Sequence, residues 1–417
     1  MISLREYARV PAELGIPRRQ IVQVISDRMY RHIPITDLAY ELLLTPQLQR
    51  LKGVSHLGLL NGMTRLNTCA SRLEHVIGVY YLVLIVTRLP GLRAFRNLLI
   101  AAALGHDNGS PPYSHSAEGA QLKVLKANHE GVLLLPHYRN SEFAEVLRKW
   151  DIDYEEFCQL VQGTHPNPLL NAIIHGQHDL DRCDGTCRYA LTWHPTEEGL
   201  PYDPREIAYS FEVEGDRFVL REQSDCRQRL EVVMGEFLDT RRAIFDEITS
   251  PIIEAPEVQL ARAITLAVRE RKVKPSFFLT MDDAQATKFL LEKCNGATKV
   301  LVDRVVRDQH YARFYAKRFP RPSPAQIDLL TNIDLRQTFA DRIAEELEIA
   351  PEDVCVNTGK FKGIVSMSGL LMFDRDNRPI VLPRSETYYL ANVYLNPIHA
   401  DLEEKVESVM DELLLLR

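Results

Sequence analysis

Apolar residues recur at i, i+3, i+4 and i+7 through LAYELLLTPQLQRL (38–51), RLEHVIGVYYLVLIVTRL (72–89) and FRNLLIAAALGH (95–106). That spacing lines one face of an α-helix, so these three runs predict core helices. The same period, interrupted by proline and glycine, predicts further helices at 141–149, 154–161, 167–191, 226–248, 256–271, 281–293 and 323–331. Two-residue alternation marks FEVEGDRFVLRE (211–222) and, in the tail, KGIVSMSGLLMFDRDNRPIVLP (362–383), with Gly215-Asp216 and Asp376-Asn377 as hairpin turns. No internal repeat or low-complexity segment interrupts the pattern. The expected protein is mainly α: a helical body over 1–320 with a small hairpin near 211–222, then a small α+β region over 321–417.

Composition narrows the class. A chain of 417 residues that is 45% hydrophobic can bury one large core and a smaller satellite. A net charge of -7 and a pI near 6.0 argue against a general nucleic-acid or anionic-membrane binder, so any phosphate must meet a local basic cluster. The seven cysteines are an odd number without CxxC spacing, which suits free thiols in a reducing compartment. Cys183 and Cys187 stand one helical turn apart with no second pair nearby, a weak case for zinc. The opening MISLREYARVPAELG has no apolar signal core, and VYYLVLIV (79–86) is too short to span a bilayer. The expectation is a cytoplasmic protein with no membrane association and no obligate nucleic-acid partner.

The chemistry concentrates in LGHDNGSPPYSH (104–115), where an apolar run ends on His106 and Asp107. His106 could cap a helix C-terminus and Asp107 could open an Asn-Gly turn, with no further role. Alternatively, His75 in SRLEH and Asp181 in GQHDLDRCD could bring two more helices to the same point and complete a metal site. Two imidazoles and two carboxylates suit a divalent ion, with Mn, Fe, Co, Ni, Zn or Mg left open, and spare positions for water and substrate. Such an ion can activate water and polarise a phosphoryl oxygen, the usual basis of metal-assisted phosphoester hydrolysis.

TPQLQRLKGVSHLGL (45–59), SRLEHVIGVYYL (71–82), LGHDNGSPPYSHSAE (104–118), NHEG (128–131) and GQHDLDRCDGTCRY (176–189) follow one another, with weaker similarity through FLDTRRAIF (237–245) to about 320. In this order and spacing the chain resembles the HD-domain phosphohydrolases, and within them the deoxynucleoside triphosphate triphosphohydrolases, including the SAM-and-HD-domain enzymes. The resemblance implies an HD-domain helical core, with His75, His106, Asp107 and Asp181 as metal ligands and Arg72 as a phosphate contact. It places His115 toward the substrate phosphates and His129, with Glu130, near the scissile phosphate. Glu118 orients His129, and Arg182 and Arg241 hold phosphates. It also implies a homo-oligomer.

The departures from that pattern lie around the substrate. Where many relatives carry HDxGHxPF, this chain has His106-Asp107-Asn108-Gly109-Ser110-Pro111-Pro112-Tyr113, so a histidine of phosphate chemistry is Ser110. The tyrosine that packs on the sugar and the aspartate that binds the 3′-hydroxyl are Gly185 and Tyr189, and a sugar-reading glutamine is His56. Thr249-Ser250-Pro251-Ile252 replaces Tyr-x-His-Lys, and Leu44 replaces an effector-reading Asp, which weighs against activation by dGTP. The expected function is therefore metal-dependent phosphohydrolysis of nucleotides, most like a triphosphohydrolase with an altered sugar pocket. Two alternatives stand beside it. One is hydrolysis of a modified nucleotide or other phosphate ester in a biosynthetic or defence pathway, for which Gly185 would leave room. The other is a non-catalytic nucleotide-binding regulator.

Overall fold

The computed structural model describes residues 14–56, 70–176, 179–193, 199–215, 217–224, 227–362, 371–381 and 387–414. Residues 57–59 of the first motif, His178, His194, Cys69, Cys226, Asp216 and much of the alternating tail lie outside them. The fold is mainly α, with three small sheets among the described residues.

Among the described residues the first strands form an antiparallel hairpin, β1 (Ile21–Asp27) and β2 (Arg31–Thr36), whose turn is tied by the Asp27 carboxylate accepting from the Met29 and Tyr30 amides. The expected helix over 38–51 is two, α1 (Asp37–Leu43) and α2 (Pro46–Arg50), because Pro46 cannot donate to a continuing turn but suits a first helical position. Next comes α3 (Arg72–Val86), buried on nearly every side as its all-round apolar sequence requires. It starts at Arg72 because Ser71 and Glu74 form a reciprocal capping box. Against it pack α4 (Arg96–Gly105), α5 (His115–Leu125) follows the HD motif, and α6 (Glu142–Lys149) and α7 (Tyr154–Val161) close the core from the far side of α4.

The long helix expected over 167–191 is also divided, into α8 (Pro168–Ile174) and α9 (Leu180–Trp193). Asp179 lies at the second start, its carboxylate accepting from the Arg182 amide, and this places Asp181 in the first turn of α9. The short α10 (Pro204–Tyr209) leads to the expected hairpin, β3 (Phe211–Glu214) with β4 (Arg217–Arg221). Then come α11 (Leu230–Ile248) and α12 (Pro251–Arg269), followed by α13 (Pro275–Thr280), α14 (Asp283–Lys293) and α15 (Gly296–Val306). Helix α12 begins five residues before the expected 256 and runs through Pro256. Proline there removes a single amide donor near the helix start, a loss the buried apolar face of α12 offsets.

The C-terminal sheet has the order β5 (Ala312–Phe319), β8 (Thr387–Leu395), β6 (Val354–Lys362), all antiparallel. It therefore begins at 312, ahead of the expected boundary at 320. Helices α16 (Pro324–Thr331), α17 (Ile333–Glu346) and α18 (Glu403–Leu413) pack on it around Phe339, Ile343, Val393 and Met410. The strand β7 (Leu371–Phe373) leaves this unit and joins β4 in parallel, and its Met372 is buried in the main core. Strand β7 thus ties the C-terminal region to the helical body.

Candidate metal centre and its surroundings

Three helices deliver the central residues. The capping box sets His75 one turn into α3, on the same face as Arg72. Helix α4 ends at Gly105, and the His106 amide still donates to Ala102 O, so His106 and Asp107 project from the helix end. The loop beyond is held from outside: Arg50 donates to Asn108 O (2.9 Å) and Ser110 O (2.7 Å), Tyr138 to Asn108 O (2.6 Å), and Gln121 to Gly109 O (2.8 Å). Tyr113 and Ser114 both adopt positive φ, 61° and 49°. Backbone in that region is sparsely populated and persists where its surroundings enforce it. Here Asp283 does so, accepting from the Tyr113 amide (2.7 Å) and from the amide and hydroxyl of Ser55.

His75, His106 and Asp107 form a buried cluster that could hold a metal ion. His75 Nε2 lies 3.9 Å from Asp107 Oδ2, and His106 Nε2 lies 3.7 Å from it. The ring of His106 is fixed by Nδ1 donating to Ala103 O at 2.9 Å, which leaves Nε2 with its lone pair and no hydrogen-bond partner. Asp107 repeats the pattern. Its Oδ1 accepts from Arg72 (2.5 Å) and Ser110 (3.2 Å), while its Oδ2 is buried and unpartnered. Buried polar atoms without partners are rare and costly, so two of them facing one point mark a place built for a cation. The donor set of imidazole nitrogens and carboxylate oxygens suits a divalent ion. Asp181, 38% exposed, borders the cluster with Oδ1 2.9 Å from His75 Nε2 and 3.8 Å from His106 Nε2.

Behind His75 stands a network that sequence reasoning missed. Asp184 Oδ1 lies 2.8 Å from His75 Nδ1. The same carboxylate accepts two bonds from Arg188, each 2.9 Å, and one from the Tyr30 hydroxyl at 2.9 Å; Arg188 also reaches Asp27 at 2.9 Å. Asp184 and Arg188 pass so close to α3 that any Cβ on Gly78 would strike them, at 1.9 Å and 2.4 Å. A carboxylate behind a ligating histidine fixes its tautomer and raises its basicity. Burial works against the charged ring of His75, yet its bonds to Asp181 and Asp184 outweigh burial and lift its pKa to about 9. Burial also opposes ionised Asp184, but Arg188 and His75 hold it below the usual carboxylate range. The signal was present in sequence as Asp184 and Arg188 at i, i+4; its partners Asp27 and Tyr30 come from the unforeseen hairpin β1–β2.

The other expected site residues divide into groups. Arg72 is buried and turned onto Asp107 and Ser114 (2.8 Å). Ser110 is fully buried against Asp107, so it supports the cluster rather than standing open in place of the family's histidine. His115, Glu118, His129 and Glu130 form a separate chain: His115 to Glu118 at 3.0 Å, His129 to Glu118 at 3.4 Å, His129 to Glu130 at 3.1 Å. Burial opposes protonated His129, but Glu118 and Glu130 raise its pKa to about 10. Arg182 binds Asp179 and Gly176 O at the start of α9. Arg241 donates to Thr186 at 3.3 Å and keeps a buried, unpartnered Nε; burial and the neighbouring charge of Arg182 lower its pKa. The buried Asp179 carboxylate pairs with Arg182 and also acts on Arg241.

His56 stacks on His75 with centroids 4.1 Å apart, its Nδ1 buried without a partner. A Cβ on Gly185 would lie 3.1 Å from His56 Cε1. The room expected beside Gly185 is therefore taken by the His56 ring. Tyr189 is buried against Ile253. Cys183 and Cys187 are buried free thiols, and Cys187 lies 3.4 Å from Tyr202 O.

Comparison with known proteins places the cluster within a matched family range. Residues 72–189 match the model of the HD domain, and residues 255–381 match the HD associated region. The first range contains His75, His106, Asp107 and Asp181. Over 174 residues, 39% of this chain and 38% of the relative, it is 31% identical to the uncharacterized protein YwfO of Bacillus subtilis. Over 169 residues, 36% of this chain and 26% of the relative, it is 30% identical to the deoxynucleoside triphosphate triphosphohydrolase SAMHD1 of Homo sapiens. The chain thus spans well under half the length of either relative. The crystal structure of a phosphohydrolase from Bacteroides thetaiotaomicron shares the fold, with a TM-score of 0.66 at 17% identity, covering 89% of this chain and 99% of that one.

Proposed function

The chain belongs to the HD-domain phosphohydrolases, and on that premise we propose that it is a metal-dependent hydrolase of nucleotides, most like a deoxynucleoside triphosphate triphosphohydrolase. The observation that carries this reading is the pair of buried, unpartnered atoms His106 Nε2 and Asp107 Oδ2 aimed at one point beside His75 and Asp181. Those four side chains would hold a divalent ion, which when bound supplies Lewis acidity to phosphoryl chemistry and activates water. Arg72 and Ser110 fix the orientation of Asp107, and Asp184 fixes that of His75. Arg182 and Arg241 take up phosphate charge, which relieves their mutual repulsion. His129 keeps its proton at neutral pH between Glu118 and Glu130 and delivers it to the leaving oxygen, while His115 extends the chain toward solvent. The occupied space beside Gly185 removes the particular support for a bulkier, modified sugar.

The test is to strip the purified protein of metal, reload it with Mn, Fe, Co, Ni, Zn or Mg, and assay nucleoside triphosphates and other phosphate esters. Phosphate, pyrophosphate and triphosphate release are read separately. Triphosphate release from deoxynucleotides is the expected result, and His106→Ala and Asp107→Asn should lose both bound metal and turnover while keeping their helical circular dichroism. Full activity in both variants would overturn the reading.

A further inference from the structure

A cavity of about 450 Å³ lies between α5, α12, α17 and β6. His75, His106, Asp107 and Asp181 do not line it; His115 and Glu118 do, on the wall that α5 provides. Two guanidiniums reach it from other elements. Arg262 of α12 is only 2% exposed. Its Nε and Nη2 donate to Pro351 O at 3.1 and 2.6 Å and its Nη2 to Asp341 at 3.1 Å, but its Nη1 has no partner. Arg336 of α17 donates through Nη2 to Thr358 O, and its Nε is buried without a partner. Burial, only partly offset by Glu254, brings the Arg336 pKa down to about 10, the mark of a cation short of countercharge.

Apart from the charge of Glu254, which acts on Arg336, the acids of the wall are bonded to other groups. Glu254 accepts from Asn357, from Asn392 (2.6 Å) and from Tyr394. Asp334 is paired with Lys123 at 3.1 Å, Glu257 with Ser116, and Glu118 with His115 and His129. Asp341, outside the cavity, is shared between Arg262 and Arg269. What is left over on the wall is two N–H donors, Arg262 Nη1 and Arg336 Nε, beside one acceptor, Gln337 Oε1, and leaving a buried donor unmade costs more than an ordinary hydrogen bond returns. The volume is that of small-molecule sites, and Val258, Ala261 and Ile333 give part of the wall an apolar surface.

We infer that this cavity is a second ligand site, distinct from the metal centre. It takes a small organic anion whose phosphate or carboxylate accepts from Arg262 and Arg336 and whose apolar part lies against Val258, Ala261 and Ile333. Helix α5 is shared between the cavity and the His115–Glu118–His129 chain, so occupancy acts on turnover through that helix.

The test uses the full chain without metal, with inorganic phosphate, pyrophosphate and succinate as probes at millimolar concentration and thermal unfolding as the readout. His106→Ala serves as a background in which no residual ion at the metal centre can carry phosphate, and loss of the rise in Arg336→Met separates the cavity from Arg182 and Arg241. At least one probe should raise Tm in both the parent and His106→Ala, phosphate-bearing probes and succinate telling the two anion sources apart. Arg336→Met should lose that rise while its ligand-free Tm stays equal or increases, since an unpaired buried donor is gone. Arg336→Lys, which restores a donor, should regain part of the rise. No rise with any probe, or a rise unchanged in Arg336→Met, overturns the site. So does purely competitive kinetics against substrate, which would make the cavity an extension of the catalytic pocket. The binding readout needs no hydrolysis, so it stands or falls separately from the phosphohydrolase reading.

Discussion

The protein holds two clusters of histidine and carboxylate that differ in what they leave unpaired. Around His75, His106 and Asp107 every supporting atom is engaged, by Asp184, Ala103 O, Arg72 and Ser110, yet the inward atoms His106 Nε2 and Asp107 Oδ2 are bare. Around His129 the opposite holds: both ring nitrogens face carboxylates, and Glu118 is further paired with His115. The first cluster is deeply buried, whereas His129 is 25% exposed and His115 is 62% exposed. Similar residue types thus serve two purposes. A buried cluster with unpartnered inward lone pairs could hold a divalent ion, while the partly solvated cluster satisfies its own polar groups.

That contrast can be broken by substitution. Beyond the metal ligands themselves, the largest effect belongs to the proton-holding cluster: His129→Ala should lower kcat by about 10² to 10⁴, the usual worth of a general acid, with metal content by mass spectrometry unchanged. Loss of metal in that variant would show that the two clusters are one unit. Unchanged kcat would take His129 out of the chemistry.

A smaller effect is expected behind the metal cluster. Asp184→Asn keeps the shape of the side chain but removes the charge that orients His75, so metal affinity should fall by about 10- to 100-fold, the usual cost of losing such a partner. Arg188 retains Asp27, which limits the penalty of the substitution. Metal titration well below the variant's Tm separates the positioning effect from general loosening. Wild-type metal affinity alongside a lowered Tm would assign Asp184 to stability alone.

The helices that carry these clusters were legible because their apolar period is strong: 72–89 and 95–106 became Arg72–Val86 and Arg96–Gly105. Breaks inside long periodic runs were not. Pro46 ends one helix by starting another, and Asp179 caps α9 so that Asp181 sits in its first turn. Periodicity continues across both points, because the flanking helices bury faces in the same core. The hairpin β1–β2 escaped notice since its first strand, IVQVISD, lacks a clean buried-exposed alternation. Missing it hid Asp27 and Tyr30, and with them the reason Asp184 is buried. Gly185 was read as space because a missing side chain says nothing about which neighbour fills the gap; only the fold brings the His56 ring over it. The cavity at Arg262 and Arg336 was equally hidden, since its walls come from stretches over 115–123, 248–268, 333–337 and 356–357 that no local pattern connects.

The smallest expected effect is a pH dependence that tests whether the second cluster really keeps its proton. The His129 pKa is raised from 6.5 to about 10 in the folded chain, since its bonds to Glu118 and Glu130 outweigh the opposing effect of burial. A raised folded pKa means that the folded state binds the proton more tightly than the unfolded state. The resulting stability is fully present below about pH 6.5, declines as pH rises, and is gone above about pH 10. Glu118 acts with the opposite sign: burial raises its pKa, but His115 and His129 outweigh that and hold it below the normal range. Its contribution is present above the unfolded carboxylate pKa and is lost as pH falls through the lowered folded value. Both contributions are intact together only in mildly acidic solution. The Tm difference between the parent and His129→Gln should therefore be greatest near pH 6, on the order of 2 °C once partial exposure is allowed for, and should close toward pH 10. A Tm difference independent of pH between those limits would mean that His129 is held neutral, and the proton-keeping half of the comparison would fail.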